Sequence, residues 1–411
     1  MGRQRRNEFF TMIEIQGKYN TATIFTDDIE EAAYKQVLNL MNQKFAEGSK
    51  FAVMPDCHAG AGCVIGLTMK LVDKVVPNLV GVDINCGMLV VKIDKSFKMD
   101  LQKMDRIWHE EIPSGMNHRE KKHAYADYVE FEKLVTPVDA EKLKLSIGTL
   151  GGGNHFGEVD VDDEGNYYIV IHSGSRHLGV EVCNFHQKRA IQYHSAGRDK
   201  EKEIIARCKA EGRTSDIEKE LKAFHETKAP VPNELAYLEG DYFADYINDM
   251  WIVQSFAHFN REAMMDTVIE SMGIPKGCIL DSFTTKHNYI DIRNNILRKG
   301  SISLQKDEEA IIPMNMRDGS LIVRGKGNPE WNFSGPHGAG RLMSRSKAKE
   351  SLSIDDFKKS MAGIYTTCVD KATIDESPMA YKPMDEIIRN IDATAEIVKI
   401  IKPIYNFKAE E

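Results

Sequence analysis

Hydrophobic positions along the chain follow two rhythms. Short apolar runs rich in β-branched residues, FAVM (51–54), VIGLTM (64–69), NLVGV (78–82), MLVVKI (88–93) and YYIVIH (167–172), are too short for helices and predict buried strands. CILDSF (278–283), SISL (301–304), AIIPM (310–314) and SLIVRG (320–325) predict four more. Elsewhere the period becomes helical: over 27–48, over the charged stretch 184–224, and over 241–272. In the last of these Phe243, Ile247, Met250, Trp251, Phe256 and Met264 form one broad apolar face, which predicts core packing. Further helices are predicted over 344–349, 354–361 and 384–401. No linker rich in Pro, Gly or Ser and no repeat interrupts the order, so the pattern predicts one α/β (α+β) domain over 1–411 with a helical insertion at about 180–275.

Composition narrows the class. A chain of 411 residues, 42% hydrophobic, can bury a sizeable core. No window approaches the roughly eighteen apolar residues that a membrane span needs, and MGRQRRNEFF has no apolar signal region, so a cytoplasmic protein is expected. The seven cysteines are odd in number and scattered, which suits a reducing compartment where a functional cysteine acts as a thiolate. A net charge of −8 excludes a generally nucleic-acid-coating surface, so any polyanion needs a local basic site. Two basic clusters exist, NHREKKH (117–123), which reads as a solvated helix face, and GRLMSRSKAK (340–349).

Candidate chemistry sits where apolar runs end beside glycine. Asp83 and Cys86 in VGVDINCGM, Asn154 and His155 in GTLGGGNHFGEV, His172 in IVIHSGSR, and His287 with Asn288 in TTKHNYI share this setting. Each alone has an ordinary explanation as a turn aspartate, a small core thiol or a hydrogen-bonded imidazole. Together an acid, a thiolate and three imidazoles make a two-metal site, with the sulfur able to bridge two cations. Asp56 and His58 in MPDCHAGAG lie in a similar strand-to-glycine setting and suit substrate contacts or support of the ligands. His194, His225 and His258 lie in helical patterns and are expected to be structural or exposed.

A second constellation is SGPHGAGRLMSR (334–345). His337 stands among glycines at an expected helix start, where backbone N–H groups could hold phosphate while Arg341 and Arg345 neutralise charge. Its ring nitrogen is then a candidate nucleophile on phosphorus; the alternative is a glycine-rich cap with an incidental histidine. GTLGGGNHFG lacks the GK[ST] of a P-loop, and Rossmann and kinase fingerprints are absent.

The ordered set MPDCHAGAG, VGVDINCGM, GTLGGGNHFGEV, IHSGSR, KHNYI, IIPMNM, PHGAGRLMSR and SPMAYK resembles, from about Ala52 to Lys408, the RtcB family of GTP-dependent RNA ligases in its compact bacterial form. The resemblance implies sheets flanked by helices around a deep central metal cleft. It implies two Mn2+ ions held by Asp83, Cys86, His155, His172 and His287, with Cys86 bridging, and a His337 that becomes guanylylated. It implies GTP contacts from Asn154, His155, Phe156, Gly157, Glu158, His287, Asn288, Pro313, Met314, Asn315, Met316, Ser320, His337, Gly338, Ala339, Gly340 and Lys408, with Tyr381 at the guanine side. RNA phosphates would meet Arg176, Arg341 and Arg345. The implied reaction joins RNA 2′,3′-cyclic phosphate or 3′-phosphate ends to 5′-hydroxyl ends through His337–GMP and an RNA end activated by GMP, in RNA repair or tRNA splicing; a monomer is the default expectation, and the sequence leaves the oligomeric state open.

Ligand softness alone would favour zinc at a thiolate, so manganese rests on the resemblance. The family commonly has a lysine between the glycines of the first motif and a PGSMG turn near the nucleotide; here these read HAGAG, with Ala61, and PMNMRDG (313–319). Two other readings stand beside the ligase: a relative acting as a metal-dependent phosphoesterase or on DNA 3′-phosphate ends, and a non-catalytic RNA-end-binding protein.

Overall fold

The computed structural model describes residues 12–227 and 231–409. The basic N-terminal start and the His225 side chain lie outside the described residues.

All the predicted strands but one join one large hydrogen-bonded sheet. Its order is Ile13–Gln16, Thr21–Ile24, Phe51–His58, Ile65–Lys70, Ile296–Ser303, Ile279–Asp291, Gly87–Ile93, Tyr167–Ser173, Phe156–Val161, Ala395–Lys408, Gly319–Gly325 and Glu309–Asn315. A further short strand, Ser334–Pro336, pairs with Ile296–Ser303. All these pairings are antiparallel except Thr21–Ile24 with Phe51–His58.

Two long strands change partners along their length, and this makes the cleft. Ile279–Asp291 pairs with Gly87–Ile93 as far as Lys286, then with Ile296–Ser303 from His287 onward, with a bulge between His287 and Tyr289. Ala395–Lys408 pairs with Gly319–Gly325 up to Ile401 and with Phe156–Val161 from Lys402. Strands that switch partners through bulges make corners in a sheet, so ladder ends that would otherwise lie in one plane face one another.

Helices cover the sheet on apolar faces. Glu31–Met41, Arg176–Ala210 and Gly240–Met272 contribute Val37, Leu40, Val182, Met250, Val253 and Phe256 to the largest core cluster. Leu101–Glu110, whose first turn is capped by Asp100 accepting from Lys103 N–H (3.0 Å), packs Met104, Ile107 and Trp108 against the far end of Gly240–Met272 and the central strands. Met384–Ile391 covers the strands around Leu321.

Several expectations change. NLVGV is not a strand: Pro77–Leu79 is a single 3-10 turn, because proline starts a turn and removes a ladder donor. The expected helix 384–401 ends at Ile391, and the β-branched run after it becomes the strand Ala395–Lys408, recruited by two free sheet edges. Helix 27–48 shrinks to Glu31–Met41, and the charged region begins at Arg176 and breaks after Ala210 before Ile217–Thr227. Trp251 is 57% exposed and lies off the buried face, so that stripe is narrower than predicted. The basic cluster at 117–123 is loop rather than helix.

Helices and loop are pinned by one buried acid. Asp249, fully buried, accepts from Val135 N–H (2.8 Å), Thr136 N–H (2.9 Å) and Oγ1 (2.6 Å), and His186 Nε2 (2.8 Å). Burial pushes its pKa up, but these bonds, led by His186, hold it below its ordinary value. Asp249→Ala should therefore cost about 3 kcal/mol of stability in urea unfolding at neutral pH. A depressed folded-state pKa gives stability that is present above the unfolded value, ~4, and lost on acidification, so the gap between variant and parent should narrow as pH falls below it.

Candidate metal centre and nucleotide cleft

The stretch VGVDINCGM forms a tight turn just before the strand Gly87–Ile93. Cys86 N–H donates to Asp83 C=O (3.3 Å), and Asn85 takes a left-handed φ of 57°, which a short amide side chain tolerates. Asn288, at the bulge of the partner-switching strand, is also left-handed (φ 73°). The two asparagine segments are tied together: Asn85 N–H donates to Asn288 C=O (2.7 Å), Asn288 Nδ2 to Asp83 C=O (3.3 Å), and His287 N–H to Cys86 C=O (2.8 Å). His287 is thereby placed beside Cys86, although 201 positions separate them in the chain.

The sheet register brings the other ligands. His172 lies opposite Met88 on one side and Phe156 on the other, so it adjoins both Cys86 and His155. Cys86 Sγ is 3.2 Å from His172 Nε2 and 3.4 Å from His155 Nε2; His155 Nε2 is 2.9 Å from Asp83 Oδ2, and His172 Nε2 is 3.4 Å from His287 Nε2. Two donor sets result, Cys86–His172–His287 and Asp83–Cys86–His155, which share the sulfur. Gly174 lets the Asp83 carboxylate in, since a Cβ there would sit 2.0 Å from Asp83 Oδ1.

The proton positions argue for cations here. His172 Nδ1–H donates to Asn154 C=O (3.1 Å), so its Nε2 carries a lone pair, and His155 Nδ1–H donates to Leu150 C=O (2.8 Å), which turns its Nε2 toward Asp83 and Cys86. That lone pair faces a thiol and another imidazole at contact distance. Burial and neighbouring positive charge hold His172 and His287 well below the usual imidazole range, which disfavours extra protons. Burial and the Asp83 charge push the Cys86 thiol well up. For Asp83, burial acts upward, but His155 prevails and holds the carboxyl well below its usual range. The donor chemistry fits metal ions, and these five residues would hold them.

The opposite wall carries His337. It follows the strand Ser334–Pro336, and its ring centroid is 4.9 Å from that of His287. Asp56 Oδ2 accepts from both His337 N–H (3.0 Å) and Nδ1 (2.7 Å), which fixes the ring with Nε2 turned away from the acid. No helix starts at His337: the next begins at Arg345, so a helix dipole does not serve this residue.

Between the walls lies a cavity of about 310 Å³, within the range of small-molecule clefts. Its far end is polar and charged. Lys408 Nζ pairs with Glu376 (2.7 Å), Tyr381 OH donates to Glu376 (2.6 Å), and Asn406 Nδ2 donates to Glu158 (2.5 Å). Against burial, Lys408 and Arg345 pull Glu376 down to about 2, whereas burial pushes Glu158 up to about 7 despite Asn406 and Lys408.

Residues 36–137 and 130–409 match the profile of a family described as tRNA-splicing ligase RtcB. The chain belongs to the RtcB family. It is similar to the protein named RNA-splicing ligase RtcB of Escherichia coli (strain K12), 30% identical across 91% of this chain and 92% of that one. It is similar to tRNA-splicing ligase RtcB of Aeropyrum pernix, 26% identical across 93% and 94% of the two chains, and to RNA-splicing ligase RtcB of Mycobacterium tuberculosis, 25% identical across 86% and 94%.

With this RtcB member's geometry in hand, each expected residue has a place. Asn154, Phe156, Glu158, Asn288, Pro313, Met314, Asn315, Met316, Gly338, Ala339, Gly340, Tyr381 and Lys408 line the cavity with Asp83, Cys86, His172, His287 and His337. His155 reaches the donor cluster rather than the cavity wall. Two expected nucleotide contacts do not: Gly157 faces the Trp108 ring, where a Cβ would meet it at 2.0 Å, and Ser320 is fully buried within the sheet. Strand alternation sends Gly157 to the face opposite Phe156 and Glu158. Arg176 donates to Thr149 Oγ1 (3.1 Å) and Gly115 C=O (2.5 Å). Arg341 and Arg345 line the cavity but are paired, Arg341 with Glu376 (3.2 Å) and Arg345 with Asp375 (2.8 Å).

Sequence reasoning missed the floor of the site. Arg261 is buried in the helix Gly240–Met272 and donates from Nη1 to Asn85 C=O (2.9 Å) and Ser173 C=O (2.8 Å). The neighbouring Asn260 accepts from Gly148 and Thr149 N–H (2.8 and 3.0 Å) and donates to Ser173 Oγ and Gly174 C=O (3.1 and 3.2 Å). A polar pair inside an otherwise apolar stripe, HFNREAMM, was the available signal.

The raised Cys86 thiol is protonated at neutral pH, whereas the lowered His172 and His287 are already neutral. Metal uptake should therefore release about one proton, and affinity should rise about tenfold per pH unit while the thiol remains protonated. Titration calorimetry of Mn2+ or Zn2+ binding in buffers of different ionisation enthalpy measures that proton; in Cys86→Ala it should vanish along with tight binding.

Proposed function

We propose that this protein is a GTP- and Mn2+-dependent RNA ligase that joins RNA 2′,3′-cyclic phosphate or 3′-phosphate ends to 5′-hydroxyl ends. The observation that carries the reading is His337: Nδ1 is tied to Asp56, and the ring stands beside the donor cluster with Nε2 free in the cavity. That is the arrangement a nucleophilic imidazole needs.

On this reading GTP lies along the cavity with its base toward Tyr381 and Lys408 and its phosphates toward the donor cluster. The His337 Nε2 lone pair forms a bond to the α-phosphorus while the bond to the β-phosphate oxygen breaks, releasing pyrophosphate. Asp56 keeps the proton on Nδ1 and stabilises positive charge that develops on the ring. Two bound Mn2+ ions would neutralise phosphate charge. A cyclic phosphate end is hydrolysed to a 3′-phosphate, whose oxygen takes GMP from His337; the 5′-hydroxyl oxygen then attacks that RNA phosphorus and GMP leaves. Activation is required because an unmodified phosphate monoester offers no good leaving group. Arg176, Arg341 and Arg345 border the space that RNA phosphates would enter. The setting is RNA repair or tRNA splicing, and the complete donor set speaks against a purely binding role.

Incubation with α-labelled GTP and Mn2+, followed by denaturing electrophoresis, should give acid-labile label on the chain. His337→Ala should abolish it, and persistence of label in that variant would remove His337 as nucleophile. Cys86→Ala should abolish labelling with an unchanged far-UV spectrum. Asp56→Asn should lower the labelling rate by roughly 10²–10⁴, the usual contribution of such proton control. Absence of label in the parent, with phosphatase activity on 3′-phosphate ends, would favour a phosphoesterase instead.

A further inference from the structure

The basic cluster at 117–123 is built onto the loop that carries the metal ligands. Leu150 N–H donates to Pro113 C=O (2.9 Å), Gly115 N–H donates to Gly151 C=O (2.9 Å), and Ser114 bridges Gly151 in parallel. The Arg176 guanidinium clamps the same junction through Gly115 C=O (2.5 Å). Gly115, hydrogen-bonded to Gly151 at the rim of the donor cluster, therefore continues directly into residues 116–123.

What that loop presents is a cationic ledge with exposed apolar groups. Arg119 sits over Gly148 C=O (3.5 Å), and its N–H donates to Leu145 C=O (3.0 Å), which draws the exposed Lys142 into the same patch. Lys122 and Lys144 are neutralised by Asp127 and Glu141 (2.6 Å each), but among the described residues Arg119, Lys121 and Lys142 form no ion pair with a carboxylate. Met116 is 91% exposed at the tip, and Tyr128 is 65% exposed at the end of an aromatic run through Tyr125 and Phe259. Unpaired cations interleaved with exposed flat or soft apolar groups are what a single-stranded nucleic acid uses, phosphates on the cations and bases on the apolar faces. A folded acidic protein would need a broader continuous surface than one loop beside a cleft.

We propose that residues 116–128, with Lys142, form a docking ledge for the single-stranded RNA strand entering the metal centre past Arg176. Arg119, Lys121 and Lys142 hold phosphates, and Met116 and Tyr128 support bases several nucleotides from the reacting end. The substrate class rests on the ligase reading; the surface itself does not.

The test uses the full chain and a fluorescent 12-nucleotide single-stranded RNA with a 5′-hydroxyl, with anisotropy measured across a KCl series. In Arg119→Ala/Lys121→Ala/Lys142→Ala the Kd should rise at least tenfold, and the slope of log Kd against log salt should fall by about two, near 0.7 for each phosphate no longer held. Guanylylation by labelled GTP should be unchanged, while the KM for the 5′-hydroxyl strand in joining rises. Lys121→Glu/Lys142→Glu, which leaves Arg119 in its packed position, should shift Kd in the same direction, and Tyr128→Ala should weaken binding by roughly fivefold or more with an unchanged salt slope. Parental Kd and slope in both cation variants, with labelling intact, would overturn the ledge. A parent that binds RNA through these residues yet neither labels nor joins would overturn the ligase reading and leave the ledge standing.

Discussion

A buried thiol beside a half-buried carboxylate is costly to ionise, and the arrangement of this protein follows from that cost. Cys86 is 1% exposed, and Asp83 reaches it through a four-residue turn. Water cannot solvate the sulfur, so only positive charge brought by the fold or by a metal can hold it as a thiolate. The surroundings direct ring nitrogens of His155, His172 and His287 at the same space, with a buried guanidinium, Arg261, just beneath. Arg261 pays the same desolvation cost, which lowers its pKa to about 10, with Cys86 and Asp83 pulling the other way.

The corner in the sheet is what makes this convergence geometrically available. In a flat sheet, ligands at the ends of Gly87–Ile93, Phe156–Val161 and Tyr167–Ser173 would lie in a row, and His287 would continue away from them. The bulge at His287 and the left-handed backbone of Asn85 and Asn288 turn two segments toward each other and lock them by reciprocal backbone bonds. The helix Gly240–Met272 closes the arrangement from below, since Asn260 and Arg261 bind carbonyls and amides from three ligand-bearing segments. The long helical segment is thus a brace for the metal centre and not an appendage.

The cleft is divided electrically. Near the donor cluster, negative and neutral donors await cations; at the other end, Glu376 gathers Lys408, Arg341, Arg345 and the Tyr381 hydroxyl into a buried network. Such a network is rigid because each member left unpaired would be a buried charge. His337, oriented by Asp56, lines the same cleft with its ring 4.9 Å from that of His287.

The chain by itself determined the kinds of local structure and the kinds of chemistry. Apolar runs of the right length marked most strands, and polar residues with metal-binding capacity at their ends marked Asp83, Cys86, His155, His172 and His287, because strand ends beside glycine are where side chains can leave the core. It misread NLVGV and residues 392–401, where proline in one case and two waiting sheet edges in the other overrode the local pattern. It also read the 117–123 cluster as a helix face, because charge and period carry no information about which loop a segment is stitched to. Only the tertiary structure decided that Arg261 and Asn260 brace the site, that Gly157 faces Trp108 and Ser320 is buried within the sheet, and that Asp56 aims His337. Those facts depend on register, bulges and contacts between residues up to 281 positions apart, which periodicity along the chain does not encode.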